Sequence, residues 1–241
     1  MRAETRHQLK QDRFSKVTLE AAENAAHWSE EHKYKLFFAA IVVIIIAAVA
    51  LGGWYYIDLQ DEKASADLST AVRTLDTPVR PAGMPAQPDF VTFASFEERA
   101  AAARKQFQAI ADKYPHTRTA AMARYLVGVT AAQLGDNATA ENNLRQAASA
   151  SNAELAALGK LALASVYRGE NKGTQAVDLY KRLIDKPTLT VTKATAQLEL
   201  AGYYESQQKP DEAKKLYDQV AKDNPSSEAA QFAQKRIAEL K

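Results

Sequence analysis

From Leu36 to Ile57 the chain runs for 22 residues without a charge, LFFAAIVVIIIAAVALGGWYYI, and no other stretch resembles it. As a helix rising about 1.5 Å per residue this run reaches about 33 Å, enough to cross a hydrocarbon layer of about 30 Å. Twelve of its residues are Leu, Ile, Val or Phe, and at about −0.3 to −0.6 kcal/mol each they favour insertion by about 4 to 7 kcal/mol. Lys33, Tyr34 and Lys35 on one side, and Trp54, Tyr55 and Tyr56 on the other, are residue types that settle at membrane–water interfaces. A helix with no polar face, placed in a soluble core, needs protein all round it, and the rest of the chain is too small and polar to supply that. Ala48-Val49-Ala50 has the form of a signal-peptide cleavage site, but a cut there falls inside the apolar run and follows an n-region of 35 residues. The expectation is one retained transmembrane helix over 36–57.

Basic residues near the span set its direction. Arg2, Arg6, Lys10, Arg13, Lys16, Lys33 and Lys35 precede it, against Lys63, Arg73 and Arg80 in the first 35 residues after it. Lys and Arg resist translocation, so the bias keeps the N-terminus cytoplasmic and sends the C-terminal part across. Arg2, Arg6, Lys10, Arg13 and Lys16 fall at spacings of four, four, three and three, one stripe of a helix over 1–35. Phe14, Val17, Ala21, Ala25 and Trp28 form a second stripe. Such a segment suits the anionic inner leaflet or an acidic or RNA-rich partner; alternatively it is a solvated helix whose cations only fix topology. His7, His27 and His32 lie here at spacings that make no metal-ligand pair.

Beyond the span the chain repeats itself. Ala103, Ala140, Ala176 and Ala213 recur at intervals of 37, 36 and 37, each followed four residues later by Phe107, Leu144, Tyr180 or Tyr217 and then by Ile110, Ala147, Leu183 or Val220. This i, i+4, i+7 pattern is one helix face repeated four times. Gly128, Ala164 and Ala201 precede the last three anchors by twelve positions, and Tyr167 and Tyr204 follow two of them by three. A small residue where two helices cross lets them approach, and a large one from the next turn fills the gap between pairs. Leu134-Gly135-Asp136 and Gln208 to Asp211 read as turns within pairs, and Pro115, Pro187 and Pro225 as exits between them. Ala64, Leu68, Ala71, Val72 and Leu75 can form a partner for the helix bearing Ala103 and Phe107. Asp76 to Ala94 intervenes with Pro78, Pro81, Pro85 and Pro88, a stiff extended loop read as a spacer in preference to a binding element, and Ser95 to Glu98 as a capping box.

The array resembles the tetratricopeptide repeat, carried by Gly128, Ala140, Leu144 and Ala147; by Ala164, Tyr167, Ala176, Tyr180 and Leu183; and by Ala201, Tyr204, Ala213, Tyr217, Val220 and Pro225. The period exceeds the family's, which is about 34, Asn152 stands where a helix-ending Pro is usual, and the Trp and Leu that open the first helix are missing. These departures suggest slightly longer loops. Nine Gly and eight Pro are few for a β-rich fold, so the chain is expected to be all-α, with the single transmembrane helix over 36–57 and then, as the resemblance implies, a right-handed α-solenoid of about four helix pairs. Its segments are 1–35, basic and cytoplasmic; 36–57, the span; 58–95, a juxtamembrane helix with the proline loop; and 96–241, the repeats, with Ser226 to Leu240 as the closing helix.

No phosphate-binding loop, dinucleotide fingerprint, zincin motif or nucleophile elbow occurs, and Arg168-Gly-Glu-Asn-Lys-Gly-Thr reads as a turn. His116 is the single histidine beyond the N-terminal segment, and the absence of cysteine excludes disulfides, thiolate metal sites and a cysteine nucleophile. No catalytic residue, cofactor or metal is expected, nor a small-molecule substrate. With 31 Lys and Arg against 29 Asp and Glu, there is no bulk field to hold nucleic acid as a main partner.

In tetratricopeptide arrays the first helices of successive pairs line a concave groove. The resemblance places Met122, Tyr125, Val129 and Gln133 there, then Leu158, Leu161, Ser165 and Arg168, then Thr195, Leu198, Gly202 and Glu205. This is a mostly apolar surface, without the Lys and Asn of relatives that clamp a C-terminal carboxylate, and part of it can equally be core between repeats. It suits an apolar helix or extended segment held by burial. The whole layout is also similar to the bacterial ancillary subunit of the Sec translocon and, in its repeats, to a cell-division coordinator. That likeness implies a single-pass inner-membrane protein with a periplasmic C-terminal domain, whose partners are the translocon, periplasmic chaperones or client peptides, and the bilayer. An envelope-assembly adaptor and a membrane-anchored regulatory subunit are the alternatives.

Overall fold

The computed structural model describes residues 28, 32–81, 83–85 and 91–240. Among these it contains nine helices: α1 Lys33–Asp76, α2 Phe96–Lys113, α3 Arg118–Gln133, α4 Asn137–Ala148, α5 Ala153–Gly169, α6 Gly173–Asp185, α7 Lys193–Ser206, α8 Pro210–Asp223 and α9 Glu228–Glu239. The protein is all-α with tetratricopeptide-like pairing, and the basic stripe of Arg2, Arg6, Lys10, Arg13 and Lys16 lies outside the described residues.

The chain divides into two compact units at Tyr56 and Ile57. In the first, α1 is apolar on every side and uncovered: Phe37, Phe38, Val43, Ile44, Ile46, Val49 and Leu51 are all exposed. By length and composition it is long and apolar enough to cross a membrane. The helix does not stop where the apolar run does. Residues 58–76 contain neither Gly nor Pro, and the helix continues to Asp76, two residues short of Pro78.

In the second unit, Ala64 and Ala71, with Leu68 and Leu75, pack into one cluster with Ala103, Phe107, Ile110, Tyr114 and Val127. Val72, read as part of that face, is exposed instead. Polar contacts finish the pairing: Tyr114 donates its hydroxyl to Asp67 Oδ2 at 2.8 Å, Thr74 to Gln106 at 2.8 Å, and Asp61 accepts from the Thr119 N–H at 2.9 Å. The proline loop is closed at its base. Val79 and Phe93 form a parallel bridge, Arg80 N–H donates to Phe93 O at 3.0 Å, and Arg99 reaches Thr77 O at 3.1 Å. These contacts join the two ends of the loop, while residues 82 and 86–90 lie outside the described residues.

The repeated anchors all reach the interior. Ala103, Ala140, Ala176 and Ala213 are fully buried, as are Phe107, Leu144 and Tyr180, with Tyr217 at 2% exposure. Six helices open on a side chain that accepts the third backbone N–H of the helix: Ser95, Thr117, Asp136, Asn152, Thr192 and Ser227. Asn152 thus starts α5, and Ser95 makes the box with Glu98, whose carboxylate returns to the Ala94 N–H at 2.6 Å. The turns within pairs share one device, a left-handed residue at Gly135 (φ 77°), Asn171 (φ 59°) and Gln208 (φ 57°). The following N–H then bonds back to Ala131 O, Tyr167 O or Tyr204 O, each at 2.9 Å. The seven residues from Lys186 to Thr192, between α6 and α7, make the longest link from α3 to α9. Val191, fully buried, plugs this link against Ala157, Leu183 and Ala196.

Candidate functional site

Helices α3, α5 and α7 are the first members of their pairs, and their common side carries two adjoining hollows. The first, of about 500 Å³, takes Tyr125, Val129, Ala132 and Gln133 from α3, Leu158, Leu161, Ala162, Ser165, Val166 and Gly169 from α5, and Asn137 and Leu144 from α4. Four-residue spacing puts Tyr125, Val129 and Gln133 on one stripe, and Leu158, Leu161 and Ser165 follow at three and four. Glu199 of α7 closes the far side. Close approach at Gly128 sets the floor: a Cβ there meets Leu144 Cγ at 2.5 Å, so α3 lies directly on the Leu144 side chain.

The second hollow, of about 580 Å³, is lined by Arg168 of α5, by Leu198, Glu199, Gly202 and Glu205 of α7, by Tyr217 of α8, and by Phe232 and Arg236 of α9. Glu199 faces both hollows. It pairs with Arg168, whose Nη1 lies 3.2 Å from Glu199 Oε2. Arg236 pairs with Glu205 through both nitrogens of its fork, with Nε to Oε1 at 3.3 Å, and so ties α9 to α7. Burial raises the Glu205 carboxyl, but hydrogen bonds from Arg236 and Tyr217 outweigh that and hold it below its ordinary 4.5. Burial, and then the Glu205 carboxylate, push the Tyr217 hydroxyl up to about 12.

Of the residues named from sequence, Tyr125, Val129, Gln133, Leu158, Leu161 and Ser165 come together in the first hollow, and Arg168, Leu198, Gly202 and Glu205 in the second. Met122 and Thr195 line neither. Several have a double position: Tyr125, Val129 and Leu161 also pack against the central core, and Leu198 against the C-terminal one. The surface is less uniformly apolar than expected, since the second hollow contains two arginines and two glutamates. Glu199, Phe232 and Arg236 were missed. Glu199 sits one position after Leu198 on a helix, and α9 had been read only as a lid, so no local pattern marked them. The first hollow is rich in uncommitted neutral polar groups: among the described residues, Tyr125, Gln133, Asn137 and Ser165 make no side-chain hydrogen bond within the chain. Burial alone raises the Tyr125 hydroxyl above its ordinary 10. Such groups can accept or donate to peptide units, and the apolar walls can take a side chain.

Comparison with known families agrees with this geometry. A model described as tetratricopeptide repeat-like domain matches residues 26–182, running through the apolar helix and into α6, and one described as tetratricopeptide repeat matches 195–227. No curated protein and no solved structure gives a match. Families of this kind are generally non-catalytic scaffolds for protein–protein interaction.

Proposed function

The chain belongs to the tetratricopeptide repeat-like domain family, and on that premise we propose that it is a membrane-anchored scaffold, with no catalytic step, that holds a segment of a partner protein in the hollow between α3 and α5. The observation that carries this is the coincidence, in one concavity, of apolar walls with four polar side chains that the fold leaves unused. Gln133 and Ser165 are exposed and Tyr125 and Asn137 partly so, and apolar walls with a few accessible polar groups are the usual make-up of a concavity that takes a peptide segment. The finer reading is that the span lies in a bacterial inner membrane, with the N-terminus cytoplasmic and the array on the periplasmic side beside the Sec translocon. The basic residues ahead of the span support that direction. Confinement near an export channel raises the local concentration of the array around emerging chains or chaperones, so weak contacts suffice.

A photo-crosslinking residue at Ser165 in the membrane-embedded chain tests the reading. Adducts with translocon subunits, chaperones or exported chains are the expected result, and Ser165→Arg, which fills the hollow from an exposed position, removes the non-covalent capture of the same proteins. Adducts only with cell-wall or division proteins favour an envelope-assembly adaptor. A C-terminal reporter active only outside the cytoplasm checks direction, and its silence sinks the periplasmic placement.

A further inference from the structure

We propose that Glu199 selects what enters the first hollow: an internal stretch of polypeptide, with an apolar side chain followed closely by a basic one, in preference to a free C-terminus. The inference rests on the scaffold reading above and adds the chemistry of the ligand. Glu199 is the sole charged residue lining that hollow. Its Oε2 accepts from Arg168, while among the described residues nothing donates to Oε1. Arg168 lines the neighbouring hollow and not this one. A ligand in the first hollow therefore meets a carboxylate whose counter-ion lines the neighbouring hollow. Glu199 is also about half exposed, with its side chain at 47%, so Oε1 is open to a second, charge-assisted donor brought by a ligand. The uncommitted Gln133, Asn137 and Tyr125 groups are neutral and suit the peptide units of a continuing chain. A terminal carboxylate finds no cation in this lining and a like charge at its edge.

The experiment uses the full chain in detergent or nanodiscs and fluorescein-labelled, C-terminally amidated peptides that share one leucine and differ two residues later in Lys, Gln or Glu. A fourth peptide ends in a free carboxylate directly after the leucine. Fluorescence anisotropy should rank Lys above Gln above Glu in steps of about threefold to tenfold, with the free terminus at the level of Glu or weaker. Glu199→Gln should flatten or invert the ranking, and Arg168→Gln, which strips the counter-ion, should steepen it. Melting midpoints close to the parent show that both variants are folded, since neither position belongs to the core. Equal binding of all four peptides, or tighter binding of the free terminus, overturns the selection while leaving the groove as a ligand site. Absence of binding by every peptide, together with loss of adducts from Ser165, overturns the scaffold reading itself.

Discussion

Two helical glycines, Gly159 and Gly202, do opposite things. At Gly159 an added Cβ comes 2.5 Å from Ala148 N and 2.7 Å from Ala147 C, so the end of α4 rests on α5 at that point, backbone to backbone. Gly159→Ala forces the two helices apart; a loss at the upper end of about 1–3 kcal/mol from overpacking exceeds the gain of about 1 kcal/mol in helix propensity. At Gly202 nothing lies within 4 Å, so Gly202→Ala keeps the propensity gain and stabilises by about 0.5–1 kcal/mol. Chemical denaturation of the two variants in detergent should give midpoint shifts of opposite sign. Gln208 offers the converse case, a residue with a Cβ held at φ 57°. Gln208→Gly should stabilise by about 0.5–1 kcal/mol, and Asn171→Gly by less because Asn tolerates that region. The crossing at Gly128 was legible because its neighbours repeat at twelve positions from each anchor. Gly159 was not, because it belongs to no repeated column and its role depends on where the previous helix ends.

The elements themselves follow from short-range signals. The helix order was readable from the repeated columns and from the turns around Gly135, Asn171 and Gln208, whereas the caps at Thr117, Asp136, Asn152, Thr192 and Ser227, though equally local, were not singled out. The longer period was expected to reside in slightly longer loops, and the seven-residue loop Lys186 to Thr192 does so for the last interval, Ala176 to Ala213, alone; the links within the two earlier intervals are three or four residues long. What holds that loop was not readable, because Glu154 lies more than thirty residues away. Its carboxylate accepts the Leu189 N–H at 3.3 Å and the Thr190 N–H at 2.8 Å. Hydrogen bonds from the Thr190 side chain and then its N–H, with smaller help from Thr188 and Leu189, hold the Glu154 carboxyl at about 2 instead of 4.5. A carboxyl with a folded value below its unfolded one adds stability that is present above about pH 4.5 and disappears as pH falls towards 2. Thermal melts should therefore decline across that window, with Glu154→Gln less stable at neutral pH and flatter in acid. Some decline remains in the variant, since Asp136 and Glu141 shift in the same direction.

For the molecule as a whole, the apolar helix was the most legible part and the ligand surface the least. Hydrophobicity sums along the chain, so a span can be read from one window of sequence. A concavity is assembled from α3, α4, α5 and α7, and which of their side chains face it depends on helix crossings that no window contains. The additive character of the span gives it a test with a threshold. An Asp at the centre of a membrane helix costs about 2.5 to 3.5 kcal/mol and also forfeits the apolar residue it replaces, against the total of about 4 to 7 kcal/mol supplied by the twelve large apolar residues. Ile45→Asp alone consequently leaves insertion close to balance or mildly favoured, and most of the chain should stay in the pellet after alkaline carbonate extraction. Adding Ile41→Asp, one turn away on the same face, drives the sum to unfavourable and should release most of the chain. Both positions are exposed and lie outside the array, so the released double variant should keep the helix content and melting of the second unit. Equal retention of single and double variants would mean that α1 is held by protein contacts and not by its own partition into lipid.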